Sequence, residues 1–346
     1  MGSCFRIHKE REEEERNFLE NGGLLLEELI TSFNGRSNPF RLFSKQELKR
    51  ATKNYHQDGL LHQDGLHKWY KGTYEDRAIS VKKLIVGYAP QKDIGWCINE
   101  VVVASHMNNH KNVLKLLGCC LETQAPTLVF EFAANGCLSY HIFEEELSPS
   151  YLSWESRLRI ATEIADAVAY LHNGTSKLIV HRAINSYTIL LDEHYVAKLF
   201  EFRLSISIPL GQTHVDGNLS SWYIGSIAPE SNGTWRFTEK SDVYSYGVVL
   251  FEILTGKRVL NILKEIYGVV ESSSWQVNRS FILADDNEND IRVYLRANIV
   301  KGNTEQLMAC AELAIRCVKV NPEERPSMIE AAKELRRISR FQHDSL

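Results

Sequence analysis

Proline is scarce in this chain, with 8 in 346 residues, and glycine is held to 20. That excludes collagen and, with 44% hydrophobic residues, wholesale disorder. No run of about 18 apolar residues occurs, so no membrane-spanning helix is expected. The first residues carry Arg6, Lys9 and a Glu cluster where a secretory leader would be apolar. Seven cysteines, an odd number without framework spacing, point to a reducing compartment. Cys119 and Cys120 sit in an apolar segment and read as buried thiols, because no His or Cys partners for a metal can be assembled. An excess of charge of one sign is missing as well: 40 Lys and Arg against 44 Asp and Glu. A nucleic-acid partner is therefore not expected.

What is present is enough for one large domain or two ordinary ones. Residues 1–39 form an extension before the main body. Glu12 to Glu15, between Arg11 and Arg16, reads as a solvated helix or a frayed tail. Leu24, Leu25, Leu26, Leu29 and Ile30 give a short apolar face to pack on the domain or on a partner. The opening Met1-Gly2-Ser3-Cys4 offers Gly2 and Cys4 as lipidation candidates. Two lipids would hold the chain on the plasma membrane, whereas one would do so marginally. Arg6 stands where the acylation motif wants Ser or Thr, so an ordinary cytosolic start is the competing reading. The location expected is cytoplasmic, with membrane association through the N-terminus if the lipids are added.

Ser44 followed by Glu47 has capping-box spacing for a helix that continues through Leu48 and Ala51. Strands are predicted at Trp69–Tyr74 and Ala78–Leu84, around a Glu75-Asp76-Arg77 turn. A helix follows from about Ile98 to Met107, then strands at Val113–Leu117 and Thr127–Phe132. After Asn135-Gly136 the apolar period becomes helical. Helices are predicted at about Trp154–His172, Asp242–Leu254, Glu305–Val318 and Ser327–Ser339, and residues 271–290 read as an exposed insert. Strands first and helices after is an α+β, two-lobe layout.

Several short motifs fall in one order. Lys82 lies in Ile79-Ser80-Val81-Lys82, Glu100 follows on a helix, and His181-Arg182 follows the long helix. Ala228-Pro229-Glu230, Asp242-Val243-Tyr244-Ser245-Tyr246-Gly247 and Arg325 come next. Together they resemble a protein kinase domain over about 40–340, with a small lobe at about 55–133 (antiparallel sheet plus one helix) and a mainly helical large lobe at about 134–340. Phe43–Thr52, Leu116–Glu122 and Asn135–Leu138 resemble plant receptor-like cytoplasmic kinases.

Within that resemblance the chemistry-bearing positions depart from the pattern. The three glycines of the phosphate loop become His62, Asp64 and His67, and the following Val becomes Trp69. An Asp there repels phosphate, although Gly65, one residue out of register, leaves an altered hairpin open. The catalytic loop reads His181-Arg182-Ala183-Ile184-Asn185-Ser186-Tyr187-Thr188. Ala183 replaces the Asp that accepts the substrate proton, Asn185 a phosphate-facing Lys, and Thr188 a magnesium-binding Asn. Glu201-Phe202-Arg203 replaces Asp-Phe-Gly, so Glu201 is at best a weak metal ligand. Arg203 would pair with Glu201 or take the metal's place. No metal is expected, and no cofactor is required.

Residues that support a kinase fold remain. The resemblance implies a Lys82–Glu100 ion pair, read either as an ordered nucleotide floor or as a purely structural lock. It implies a Glu230–Arg325 bridge, an Asp242 that ties down the His181 loop, and His181 and Phe202 in an apolar stack with Leu116 and Ala104. With Lys82 and Glu100, the gatekeeper Phe130 and hinge residues Glu131, Phe132 and Ala133 outline a nucleotide pocket able to take ATP without magnesium; an empty or collapsed cleft is the other reading. Between Glu201 and Glu230, Ser205, Ser207, Thr213, Ser220, Ser221 and Ser226 are phosphate-acceptor candidates. Leu219, Trp222, Tyr223, Ile224 and Ile227 form an apolar tip that packs on its own lobe or binds a partner. The whole pattern is similar to a plant pseudokinase group that partners nucleotide-binding leucine-rich-repeat immune receptors, related receptor-like cytoplasmic kinases and bacterial effectors. It implies a non-catalytic adaptor in innate immunity. A nucleotide-binding switch, a weak atypical serine/threonine kinase and an inhibitory decoy are the alternatives.

Overall fold

A computed structural model describes residues 2–33, 38–85, 90–143, 151–217, 226–232, 234–267 and 288–341. The chain divides into two compact units: Met1–Ala134 with Glu201–Leu204, and Asn135–Phe200 with Ser205–Leu346.

The first unit is built on a six-stranded sheet. Its elements are α1 (Gly2–Phe33), β1 (Arg41–Leu42), α2 (Lys45–Ala51), β2 (Leu60–Gln63), β3 (His67–Tyr74), β4 (Arg77–Leu84), α3 (Pro90–Met107), β5 (Leu116–Cys120) and β6 (Thr127–Glu131). The strand order is β1-β5-β6-β4-β3-β2, antiparallel except where β1 runs parallel to β5. Glu75 and Asp76, with φ of 47° and 60°, make the two-residue turn whose twist suits the β3–β4 hairpin. Gly118 lets β1 approach β5: a Cβ there would lie 2.0 Å from the Arg41 carbonyl oxygen. Ser44 and Glu47 form a reciprocal capping box at the start of α2.

Three expectations change. The strand predicted at Val113–Leu117 is displaced to Leu116–Cys120. Val113 instead donates its N–H back to His110 in a turn, and the Asn108 amide brackets Leu116 by bonding both its N–H and its C=O at 2.8 Å. Apolar runs of this length do not show by themselves where extended backbone begins. Helix α3 starts at Pro90 rather than near Ile98, with proline in the first turn, where its missing N–H is harmless. The N-terminal segment is one continuous helix, and its apolar residues do not share one buried face. Leu25 is buried, whereas Leu24, Leu26 and Ile30 are exposed. What fixes α1 is polar: the Asn21 amide donates to the carbonyls of Leu121 and Thr123, both at 2.9 Å, and Lys45 pairs with Glu14 at 2.8 Å.

The second unit is mainly helical. It holds α4 (Leu138–Ile142), α5 (Trp154–Asn173), β7 (Ile179–Val180), β8 (Ile189–Leu191), β9 (Ala197–Leu199), β10 (Ile206–Ser207), β11 (Val215–Asp216), β12 (Arg236–Phe237), α6 (Glu239–Thr255), α7 (Val259–Tyr267), α8 (Glu288–Asn298), α9 (Thr304–Cys317) and α10 (Met328–Ile338). Helix α6 is apolar nearly all round and forms the core, packed by α5 and α9. The Tyr246 hydroxyl on α6 donates to the Ala161 carbonyl of α5 at 2.9 Å. Gly256 ends α6 in the left-handed conformation, with φ of 65°. None of the described helices is long and apolar enough to cross a membrane.

Candidate functional site

In the first unit the sheet sets a row of side chains on one face. Trp69 on β3 and Leu128 on β6 both lie opposite Lys82 on β4, and Phe130 is two residues along from Leu128. The Trp69 and Phe130 rings consequently meet at 5.6 Å, tilted by 30°. The Lys82 ammonium lies 5.3 Å from the centre of the Trp69 ring. Glu131 begins the stretch that leaves the sheet, its N–H bonded to the Lys115 carbonyl, and Ala133 is buried just before the unit ends.

Lys82 is fully buried and donates to two carboxylates. It reaches Glu100 of α3 at 2.6 and 2.9 Å, and both oxygens of Glu201 at 3.0 Å. The Arg203 Nε closes the group, donating to Glu201 at 2.6 Å. Two cations and two anions thus share one buried space. Burial pushes the Glu100 carboxyl up to about 7, against the pull of Lys82. For Glu201 burial acts in the same sense, but Lys82 and Arg203 outweigh it and hold the group down at about 2. Glu201 also has a φ of 73°, a left-handed backbone that costs a non-glycine residue about 1–2 kcal/mol. Its ion partners offset that strain, and the Asn99 amide steadies the next turn by donating to the carbonyls of Phe202 and Arg203.

The turn between β2 and β3 is closed by its own acid. Asp64 accepts the N–H groups of Leu66 and His67, each at 2.6 Å. This is the local side-chain-to-backbone turn that Asp favours. Burial would raise the Asp64 carboxyl, but His67 and these two amides hold it well below the usual range. His67 is buried, and burial together with the Lys82 charge lowers its pKa. His62 is exposed on β2.

In the second unit Asp242 of α6 organises the loop after β7. It accepts the N–H of His181 at 2.7 Å and of Arg182 at 2.9 Å, and its Oδ2 lies 2.9 Å from His172 Nε2. His181 Nε2 is 3.0 Å from the Phe200 carbonyl. Ala183 carries no acceptor side chain, and its carbonyl takes hydrogen bonds from the Asn185 amide at 2.9 Å and the Thr188 hydroxyl at 2.7 Å. Asn185 Oδ1 accepts in turn from the N–H of Tyr187 and Thr188. The side chains of Asn185 and Thr188 are thus committed to the loop itself. Arg325 makes a two-pronged bond to Glu230 at 2.7 and 2.8 Å, with the guanidinium buried and the carboxylate partly exposed.

The structure therefore brings together Lys82, Glu100, Glu201 and Arg203 in one unit, and His181, Ala183, Asn185, Thr188 and Asp242 in the other. Phe202 is buried in the turn that packs on α3. Of the acceptor candidates, Ser205 is buried and donates to the His181 carbonyl, while Thr213 is exposed. Ile227 is buried. Leu219, Ser220, Ser221, Trp222, Tyr223 and Ile224, residues 271–287, and the side chain of Cys4 lie outside the described residues. Sequence reasoning missed Asn99 altogether, and it missed the inward use of Asp64. Only the second had a signal, in the Asp64-Gly65 turn pair. Among the described residues no group of His, Cys, Asp and Glu is arranged to hold a metal.

The sequence model of the protein tyrosine and serine/threonine kinase family matches residues 63–335. The chain is 36% identical over 338 residues to the serine/threonine-protein kinase ZRK1 of Arabidopsis thaliana, covering 95% of this chain and 94% of that one. It is 36% identical over 348 residues to the Arabidopsis non-functional pseudokinase ZED1, covering 97% of this chain and all of that one. It is also 38% identical to the Arabidopsis wall-associated receptor kinase-like 4, over 93% of this chain and 41% of that protein.

Proposed function

This chain belongs to the protein tyrosine and serine/threonine kinase family, and we propose that within it the chain works as a non-catalytic adaptor in plant innate immunity. It would link detection of a bacterial effector, acting on this protein or on a related receptor-like cytoplasmic kinase, to a nucleotide-binding leucine-rich-repeat receptor. Similarity to ZED1, named a non-functional pseudokinase, supports the non-catalytic half, although ZRK1 is named a kinase. Ala183 supports it chemically, since a methyl group cannot accept a proton. The place of action proposed is the cytoplasm, at the membrane if Gly2 and Cys4 are acylated.

One observation carries the adaptor half. Helix α1 is pinned through Asn21, Leu25 and Glu14, yet Leu19, Leu26 and Ile30 are 67%, 58% and 54% exposed. Spaced seven and four residues apart, they form one apolar stripe on the free side of the helix. A stripe on an anchored helix, next to the Glu12–Glu15 run, fits a partner surface that is apolar with a basic rim. The test is purification from leaf tissue under membrane-retaining extraction, comparing the natural chain with a Leu19→Glu, Leu26→Glu, Ile30→Glu variant. A leucine-rich-repeat receptor should co-purify near stoichiometry with the natural chain and be lost from the variant. Absence of any such receptor from the natural chain, or equal recovery by the variant, would overturn the proposal.

A further inference from the structure

A kinase of this family holds a nucleotide through three kinds of contact. Loop backbone N–H groups cradle phosphate, a carboxylate holds magnesium, and apolar side chains cover adenine. In the first unit each contact is already made to a side chain of the protein. The Leu66 and His67 amides are taken by Asp64. Both oxygens of Glu201 are engaged by Lys82, and Oε1 also by Arg203. The Trp69 indole, on a strand position opposite Lys82, lies against Phe130 and is almost wholly buried.

We propose that the nucleotide-binding surface of this unit is filled from within, with Asp64 in the role of a phosphate, Arg203 in the role of magnesium and Trp69 over the adenine position, so that the chain binds neither magnesium nor adenine nucleotide. The residues present do not fit the metal. Magnesium needs near-octahedral oxygen ligands at about 2.0–2.1 Å, and Glu201 has its charge neutralised at hydrogen-bond distance by two cations. A divalent ion placed there would have to displace Arg203 or sit against it, with strong repulsion in a dry site. Arg203 is itself held: its guanidinium carbon lies 5.6 Å from the centre of the Trp96 ring, a cation–π distance. An incoming phosphate would meet the Asp64 carboxylate, which is ionised at neutral pH and occupies the donors that phosphate would need. The self-filled arrangement also supplies its own counter-charges, because Glu201 is paired with both Lys82 and Arg203 and Lys82 is paired with Glu100 as well. None of this depends on the adaptor reading, and a failed receptor purification would leave it untouched.

The full-length protein is tested with Mn²⁺ alone, followed by electron paramagnetic resonance, and with ATP in the presence and absence of Mg²⁺, followed by calorimetry and thermal melting. The natural chain should give no saturable Mn²⁺ signal, no saturable heat with ATP and no ATP-dependent rise in melting temperature. A bound ligand at about a hundred times its Kd would raise the melting temperature by several degrees, so saturable ATP or Mn²⁺ binding with a Kd below about 1 mM overturns the proposal. Arg203→Gly should gain at least about tenfold in Mn²⁺ affinity, whereas Arg203→Lys, which keeps the charge, should gain nothing. Arg203→Gln, close in size and neutral, serves if the glycine variant fails to fold. A folded neutral variant that binds Mn²⁺ no better than the natural chain refutes the role given to Arg203. Asp64→Gly with Trp69→Val should acquire metal-independent ATP binding, and a folded double variant that does not refutes the roles of Asp64 and Trp69.

Discussion

Lys82 is the residue whose removal separates a structural lock from a ligand site, and Lys82→Met is the cleanest perturbation. The side chain is 1% exposed and lies 2.6–3.0 Å from four carboxylate oxygens. Its loss leaves Glu201 with Arg203 but strands Glu100, which has no other cation within bonding distance among the described residues. Removing one member of a buried ion group costs about 3–5 kcal/mol. For a unit of this size that lowers the melting midpoint by about 10–20 °C. Replacing the stranded acid as well, in Lys82→Met with Glu100→Leu, leaves the neutral Glu201–Arg203 pair and should recover stability to within about 1–2 kcal/mol of the natural chain. The pH dependence adds a sign. Glu100 has a folded-state pKa raised to about 7 from 4.5, so its charged form opposes folding and stability falls as pH rises through that range. Without Lys82 the carboxyl rises further, and Lys82→Met should lose less stability at pH 6 than at pH 8. Urea unfolding followed by circular dichroism reads all three variants. A Lys82→Met loss below about 1 kcal/mol, or a double variant no more stable than the single one, would refute the reasoning.

Two further outcomes follow from the same geometry. Glu201 is held at about 2, down from 4.5, so its contribution to stability is complete above pH 4.5 and is lost as pH falls through 2. The thermal midpoint should decline over that window, and decline less in Arg203→Met; equal declines would show that Arg203 is not what holds Glu201 down. Asp242→Asn should cost about 2–3 kcal/mol, because an amide cannot accept from the His181 and Arg182 N–H groups and also face His172 without setting donor against donor. Hydrogen exchange at residues 181–183 should quicken in that variant, and unchanged exchange would contradict the role given to Asp242.

The legible part of the site consists of residues whose chemistry fixes their partner. A buried lysine needs an acid, and a catalytic-loop position with a methyl side chain has lost its proton acceptor whatever surrounds it. Lys82, Glu100, Ala183, Asp242, Glu230 and Arg325 could therefore be singled out from motif order and residue type. The strand after α3 was misplaced because Val113 and Leu114 are as apolar and as buried as the residues of β5. Only the Asn108 side chain, bonded to both backbone groups of Leu116, decides where extended pairing begins. Trp69 was visible as a departure from Val, but its contact with Phe130 depends on strand register across β4, a tertiary fact. Sequence spacing alone predicts one apolar face for Leu24, Leu25, Leu26, Leu29 and Ile30 of α1. Asn21, a polar residue docking on carbonyls after β5, orients the helix so that Leu24, Leu26 and Ile30 face outward.

The substituted positions differ from a working site in what they do with hydrogen-bonding capacity. A group that serves a substrate must leave a lone pair or a donor open until the substrate arrives. At Asp64, Glu201, Asn185 and Thr188 that capacity is closed internally. Asp64 accepts its own turn amides, Glu201 is held by Lys82 and Arg203, and Asn185 and Thr188 bond within one loop. Closing these groups relieves the strain and desolvation that an open site carries, so substitutions that remove chemistry can also steady the fold. Restoring a carboxylate at position 183 would reopen a single contact and leave the others closed, which is why reversal of the loop alone should not revive phosphate transfer. Ala183→Asp should therefore show no incorporation of labelled phosphate above that of Lys82→Met. Incorporation above that level would mean that the closed groups open in solution and that the internal bonds seen here are not what silences the site.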